Sequence, residues 1–298
     1  MTLQILRTKA SCYYNNAIQI LFQIISFISY FLMSLLNRKR YSKLISFCWF
    51  IGYPRTGHTL IAAILDAHSN IIISNEWNVI RYINKGYNKY MIFKAIEKSS
   101  YIFQKKFKSI WSDYDYSING LSQGCSNNLL IIGDKGPGSV SRTLQKTPDI
   151  LNKLEKVLDL PLKIIHVVRN PFDVISTMIL RHCDRNEIRS FASIDYMIFI
   201  NRFFNKVKIN SKILECNSFQ FITIYHEDVI SQPEKSIISW LQFLELESDE
   251  DYIRKCCNLI KREPNRSRIE IPWDNDNIMQ VQQEISKYEF LSHYSFYN

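Results

Sequence analysis

The stretch "ISFCWFIGYPRTGHTLIAAILDAH" (residues 45–68) constrains the fold more than any other part of the chain. An unbroken apolar run ends at Gly52, a turn containing Pro54 and Gly57 follows, and an apolar-periodic segment begins at His58. With only 8 glycines and 8 prolines in the chain, this punctuation around Arg55 and two threonines is a strong local signal. It spells buried strand, tight turn and helix start. In an α/β protein that junction is where an anion binds, because the first N–H groups of the helix point outward without partners.

The rest of the chain repeats the alternation. Short runs rich in Val, Ile and Leu at 46–52, 71–74, 128–135, 162–169 and 219–228 predict strands. Between and after them, 58–67, about 77–110, the segment from Pro171, 233–244 and 249–260 predict helices. Apolar strands separated by helices indicate a parallel sheet covered on both faces, a three-layer α/β fold with a central sheet flanked by helices. Residues 114–127 and 261–276 predict the two main loops. No repeat or linker divides the chain, so we expect residues 1–43 to be a hydrophobic N-terminal helix and 44–298 to be one domain.

The N-terminal segment carries no charge from Ala10 to Asn37, and residues 17–36 are long enough to span a bilayer. Asn16, Gln19, Gln23, Ser26, Tyr30 and Ser34 nevertheless share one helical face. That pattern also suits a helix lying on a membrane, or one docked with its polar stripe outward. Arg38, Lys39, Arg40 and Lys43 follow it, and would keep the domain cytoplasmic if the segment spans. The net charge of +9 favours an anionic partner, but it is dispersed and no nucleic-acid-binding signature is present, so no nucleic acid is expected. Seven cysteines without a C-x-x-C pair read as free thiols in a reducing compartment.

The turn at 52–60 is not a Walker A loop, which needs a lysine before its final hydroxyl residue. It still has the parts of a phosphate cradle: Pro54 stiffens the entry, Gly57 admits backbone approach, Thr59 offers a hydroxyl, and Arg55 supplies charge. "KIIHVVRNPFDVISTMI" (163–179) makes a second oxyanion site. Here a strand ends in Arg169, Pro171 opens a helix, and Thr177 lies two turns further on. Two such sites on one sheet suit a ligand phosphorylated at both ends.

At these two stretches the sequence resembles the sulfotransferases, whose donor is 3'-phosphoadenosine 5'-phosphosulfate (PAPS) and whose fold is P-loop-like. "YPRTGHTL" is similar to their 5'-phosphosulfate loop, which implies donor contacts by Arg55, Thr56, Gly57, His58, Thr59 and Leu60. "RNPFDVIST" is similar to their 3'-phosphate motif, implying Arg169 and Thr177. "LDAHSNIIISNEWNVIR" resembles the segment of tyrosylprotein and bacterial members that carries a glutamate base, here Glu76. "GDKGPG" resembles their strand end with a lysine near the transferring group, here Lys135. "YHEDVISQPEK" implies Tyr225 near the adenosine phosphate, and the tail from Asn265 resembles the family's closing basic loop, implying Arg268. His58 departs from the usual hydroxyl residue, and Thr177 replaces serine.

The chemistry of the residues agrees with this resemblance. Sulfuryl transfer requires positioning and cations aimed at a leaving phosphate, which Arg55, Lys135 and the helix N-terminus could supply. The hydroxyl or amine acceptor must also lose a proton, and Glu76 beside Trp77 is expected to have its pKa raised by desolvation. No metal is expected. Blander readings stand beside these: Glu76 as a first-turn helix carboxylate, Lys135 as a solvated loop residue, and His166 as a core histidine. His68 would order the turn after the first helix. Two other functions remain open, a P-loop kinase or NTPase and a non-catalytic, membrane-associated nucleotide-binding protein.

Overall fold

The computed structural model describes residues 24–111, 114–136, 143, 149–215 and 219–298. Seven strands occur in it: β1 (Ser46–Gly52), β2 (Ile71–Asn75), β3 (Ile110–Trp111), β4 (Tyr114–Asp115), β5 (Ile131–Lys135), β6 (Leu162–Val168) and β7 (Gln220–Tyr225). Five of them form one sheet in the order β2-β5-β1-β6-β7, every pair parallel. This is the central parallel sheet the alternating pattern predicts. β3 and β4 pair antiparallel as a separate hairpin.

β1 lies in the middle, with Phe47 level with Ile132 of β5 on one side and Leu162 of β6 on the other. All seven residues of both β1 and β6 are buried, as befits strands covered on two faces. Alternate side chains enter different cores. Phe47, Trp49 and Ile51 join α3 (Val79–Ile83), α4 (Lys89–Phe107) and α5 (Ile150–Leu158). Cys48 and Phe50 join the opposite layer, which α2 (His58–Asp66) shares with three helices from the C-terminal half. β5 must pass close to β1 here: a Cβ on Gly133 would stand 2.3 Å from the Cys48 carbonyl oxygen.

A third core is built from α6 (Pro171–Arg185), α7 (Tyr196–Leu214) and the C-terminal segment, with Phe172, Ile175, Phe203, Val281 and Leu291 buried in it. It folds the tail back over the C-terminal ends of the strands. His166 sits inside this architecture as a core residue, its ring 3.0 Å from the Tyr53 hydroxyl and its pKa pushed down to about 3 by burial. Two more helices, α8 (His226–Ser231) and α9 (Pro233–Phe243), follow β7, and α10 (Glu250–Leu259) completes that layer.

Several local expectations need correction. The strand expected over 219–228 ends at Tyr225, and His226 begins a helix. The helical region expected at 77–110 is divided into α3 and α4 at residues 84–88, where Gly86 adopts left-handed backbone (φ 80°) and the Asn88 side chain caps α4. The loop expected from residue 114 starts as a strand.

At the N-terminus, residues 24–36 form a helix, α1, whereas residues 1–23 lie outside the described residues. The polar stripe of α1 does not face outward. Ser34 is 1% exposed and Tyr30 packs on Tyr87 with ring centroids 6.0 Å apart, while Ile25, Ile28, Leu32 and Leu36 are exposed. Tyr87 and Lys98 of α4 pack on the Tyr30 ring, and the Ser34 hydroxyl donates to the Phe31 carbonyl, so the stripe finds partners within the protein. Among the described residues no helix is long and apolar enough to cross a membrane.

Candidate active site

In this sheet the chain leaves β1 toward β2 at one edge and later leaves β6 toward β7 at the other. Connections that diverge on either side of a strand open a crevice at the strands' C-terminal ends. The candidate residues meet there. The loop after β1 carries Arg55 at φ 68° and Gly57 at φ 87°, so two successive left-handed turns bring the chain into α2. Gly57 has no room for a side chain, since a Cβ would lie 2.5 Å from Nδ1 of His226. No side chain caps α2, which leaves its first N–H groups directed at the crevice. Thr56 is buried and its hydroxyl donates to the Tyr53 carbonyl (2.9 Å), which braces the loop. His58 is also buried, 3.4 Å from the Thr56 hydroxyl, and burial with Lys135 and Arg55 nearby holds its pKa well below the usual range.

Lys135 ends β5 and is fully buried. Its ammonium donates to Thr59 Oγ1 (3.1 Å) and to Glu76 Oε1 (3.0 Å), joining the first turn of α2 to the end of β2. Burial lowers its pKa, and Glu76 and Asp134 oppose that shift. Lys135 is therefore not a solvated loop residue. The desolvation of Glu76 expected beside Trp77 is not found. Its side chain is 44% exposed, and Trp77 turns away to stack on Tyr82 at 3.9 Å.

Sequence reasoning missed the residue that shapes this corner. Asp134, 1% exposed, accepts from Ser74 Oγ (2.7 Å), Trp77 N (3.1 Å) and Val79 N (2.8 Å), while the Lys135 carbonyl accepts from Glu76 N (2.7 Å). The end of β5 thus clamps the turn that carries Glu76. An acidic residue before a lysine at a strand end was the only signal available.

At the end of β6, Arg169 is buried and donates to the Arg55 carbonyl (3.1 Å) and to the carbonyl of Asn265 in the closing segment. Asn170 caps α6 through Phe172 N, and Pro171 occupies its first turn. The Thr177 hydroxyl donates to Asp173 O (2.8 Å) and lies 3.0 Å from Ser267 Oγ. Arg268 is buried against Asp173, which accepts from its backbone N–H at 3.0 Å. Tyr225 lies at the end of β7, edge-on to His293.

Two cavities meet at Arg169, His226 and Asn265. One, of about 630 Å³, contains Arg55, Gly57, His58, Thr59, Leu60, Glu76 and Thr177 in its wall. The other, of about 650 Å³, contains Tyr225, Arg266 and Arg268. The structure therefore collects the two predicted anion sites into one divided crevice. Lys135 lies behind the wall of the first cavity, in contact through Thr59 and Glu76. His226 was named in the sequence only within a motif; its ring stands between the cavities, its Nδ1 is buried without a partner, and its pKa is pushed down to about 3 by burial and by Arg169. Among the described residues no group of three or more His, Cys, Asp or Glu is placed to hold a metal ion.

Several known proteins are similar to this chain. Among solved structures, the sulfotransferase domain of a Synechococcus olefin synthase is 17% identical, matching over 83% of this chain and 96% of its own, with a TM-score of 0.48. A Mycobacterium avium sulfotransferase is 10% identical over 89% of this chain and 81% of its own, also at 0.48. A mouse sulfotransferase solved in complex with PAP is 15% identical over 78% and 69%, at 0.38. No curated protein matches the sequence. The family model described as the sulfotransferase family matches residues 49–251, from β1 to the start of α10. That match covers most of the chain, including the turns after β1 and β6 and the Lys135–Glu76 pair, and the chain belongs to the sulfotransferase family.

Proposed function

We propose that this protein transfers a sulfuryl group from PAPS to a hydroxyl or amine acceptor by in-line displacement. The observation that carries the reading is the buried Lys135 ammonium, held at once by Thr59 at the start of α2 and by Glu76. A cation so placed beside an uncapped helix N-terminus serves a leaving phosphate that gains charge, and the carboxylate beside it serves an acceptor that loses a proton. In the reaction the acceptor oxygen or nitrogen bonds to sulfur as the bond from sulfur to the 5'-phosphate oxygen breaks. The acceptor proton passes to Glu76, and the new phosphate charge is met by Lys135, Arg55 and the first N–H groups of α2. Arg169, Thr177 and Arg268 are assigned to the 3'-phosphate, and Tyr225 to the nucleotide beside it. Thr56 supports the loop from behind.

Donor identity is tested by calorimetry. Adenosine 3',5'-bisphosphate (PAP) should bind at least about tenfold more tightly than 5'-AMP or ATP, a difference of about 1.4 kcal/mol, and Arg169→Ala should lose most of that preference. Tighter binding of ATP would favour a phosphotransferase instead. Nucleotide binding without label transfer from PAPS to any acceptor would leave a binding protein.

The outward face of α1 supports a membrane surface as a second partner. Nine apolar residues between Ile24 and Leu36 are exposed there, and Arg38 and Lys39 follow directly. This composition suits a helix lying in the interface beside a cytoplasmic domain.

A further inference from the structure

The wall of the Glu76 cavity contains more than the donor sites use. Thr177, Arg181 and Arg185 all line it, and their spacing of four residues puts them on one ridge of α6. At ~1.5 Å per residue, Arg181 and Arg185 lie ~6 and ~12 Å beyond Thr177, away from Arg169. Arg262, Arg266 and Arg268 serve the neighbouring cavity, so the 3'-phosphate end has its own arginines.

The opposite surface is aromatic. Trp111, Tyr114 and Tyr116, from the β3–β4 hairpin and its exit, line the same cavity. The Trp111 ring lies 5.7 Å from the Lys135 ammonium, so this surface begins at the reactive pair. The Tyr114 and Tyr116 rings follow with centroids 6.3 Å apart. Trp111 and Tyr114 are exposed, which core packing does not explain.

Arg55 stands between the two surfaces. Burial lowers its pKa first, Arg181 and Arg185 lower it further, and Tyr116 and Tyr114 act in the opposite sense. Like charges gathered on one cavity wall repel, and an oxyanion placed among them relieves the repulsion with bidentate hydrogen bonds. Lys261 adds a cation 5.6 Å from the Tyr114 ring, while Asp115 and Glu263 are the acids that share the cavity with Glu76.

We infer that the acceptor is a hydroxylated ring compound bearing its own oxyanion, a carboxylate or sulfate. Its ring rests on Trp111, Tyr114 and Tyr116, its hydroxyl faces Glu76, and its anion is held by Arg181 and Arg185. This rests on the sulfuryl-transfer reading above and adds the substrate class. The anion is a spectator: the hydroxyl proton passes to Glu76 as the new oxygen–sulfur bond forms and the bond from sulfur to the 5'-phosphate oxygen breaks, releasing PAP.

The test titrates the PAP-loaded protein with matched pairs, phenol against 4-hydroxyphenylacetate and methyl glucoside against methyl glucuronide. At least one acid should bind about tenfold more tightly than its neutral partner, and the pair that shows it separates a phenolic from a sugar acceptor. The Arg181→Gln/Arg185→Gln double variant should abolish the preference while its PAP affinity stays unchanged. Equal binding within both pairs, no binding by either acid, or a parallel loss of PAP affinity in the double variant would overturn the inference. If the double variant does not fold, the wild-type pairs decide alone. Failure of the unmodified protein to bind PAP at all would remove the donor reading as well, and that result is seen before any acceptor is added.

Discussion

At the scale of residues, the site depends on a backbone conformation that Glu76 would not adopt unaided. Its φ of 57° and the 67° of Asn78 are left-handed, a region disfavoured for side-chain-bearing residues. Asp134 and the Lys135 carbonyl hold that turn with three backbone hydrogen bonds. Asp134→Asn turns one acceptor oxygen into a donor facing an N–H, which costs roughly 1–3 kcal/mol. We expect this variant to bind PAP normally and to lose about tenfold or more in kcat. We further expect the acidic limb of its pH–rate profile to change as it does in Glu76→Gln, where the loss should be about 10²- to 10⁴-fold. Asp134 is thus a positioning residue acting through Glu76. A variant that is less stable but keeps the wild-type pH profile would reduce it to a structural role, and a Glu76→Gln enzyme at full rate would end the base assignment. Glu76 and Lys135 were named in the sequence only through the family resemblance, and Arg55 also through the turn in which it sits. Asp134 was not, because its partners are backbone groups that only the folded turn brings within reach.

At the scale of elements, the fit of α2 to its neighbours depends on a buried carboxyl. Asp66 accepts from Ile73 N (2.7 Å) of β2, from Ser100 Oγ (2.8 Å) of α4 and from Gly124 N (2.8 Å). Burial nevertheless raises its pKa from 3.8 to about 6, against the opposing effect of those donors. A raised carboxyl pKa means that the native state binds the proton more tightly than the unfolded chain. Its contribution is full below pH 3.8 and is lost as pH rises through about 6. The size is roughly 3 kcal/mol. Urea denaturation should show wild-type stability, measured relative to Asp66→Asn, declining between pH 4 and pH 7. A difference independent of pH would refute the assignment. The elements themselves were largely readable from periodicity, but their ends were less so. "FQFITIYHED" reads as one strand, yet β7 stops at Tyr225 because His226 turns into a helix against Gly57. No local pattern encodes that contact.

At the scale of the whole molecule, we propose that the N-terminal helix can be removed without loss of the donor site, provided the cut spares the contacts made just after it. Tyr41 is buried, and Arg40 and Tyr41 both hold Glu97 of α4, at 2.7 and 3.0 Å. A cut at residue 43 would break those contacts; a cut after Asn37 spares them. The protein lacking residues 1–37 should bind PAP as the full chain does and should fail to sediment with anionic lipid vesicles that retain the full chain. Full-length protein that ignores the vesicles would exclude the membrane role.

Periodicity and turn chemistry in the sequence alone determined the parallel sheet, its helix layers and the two turns proposed to bind the donor, because each is written within a few consecutive residues. Which way α1 faces, how Asp134 sets the Glu76 turn, and how Arg181, Arg185 and Trp111 come to line one cavity were decided only by the tertiary structure. Those relations join residues far apart in the chain, and their energies arise from burial and charge that exist only once the elements have packed.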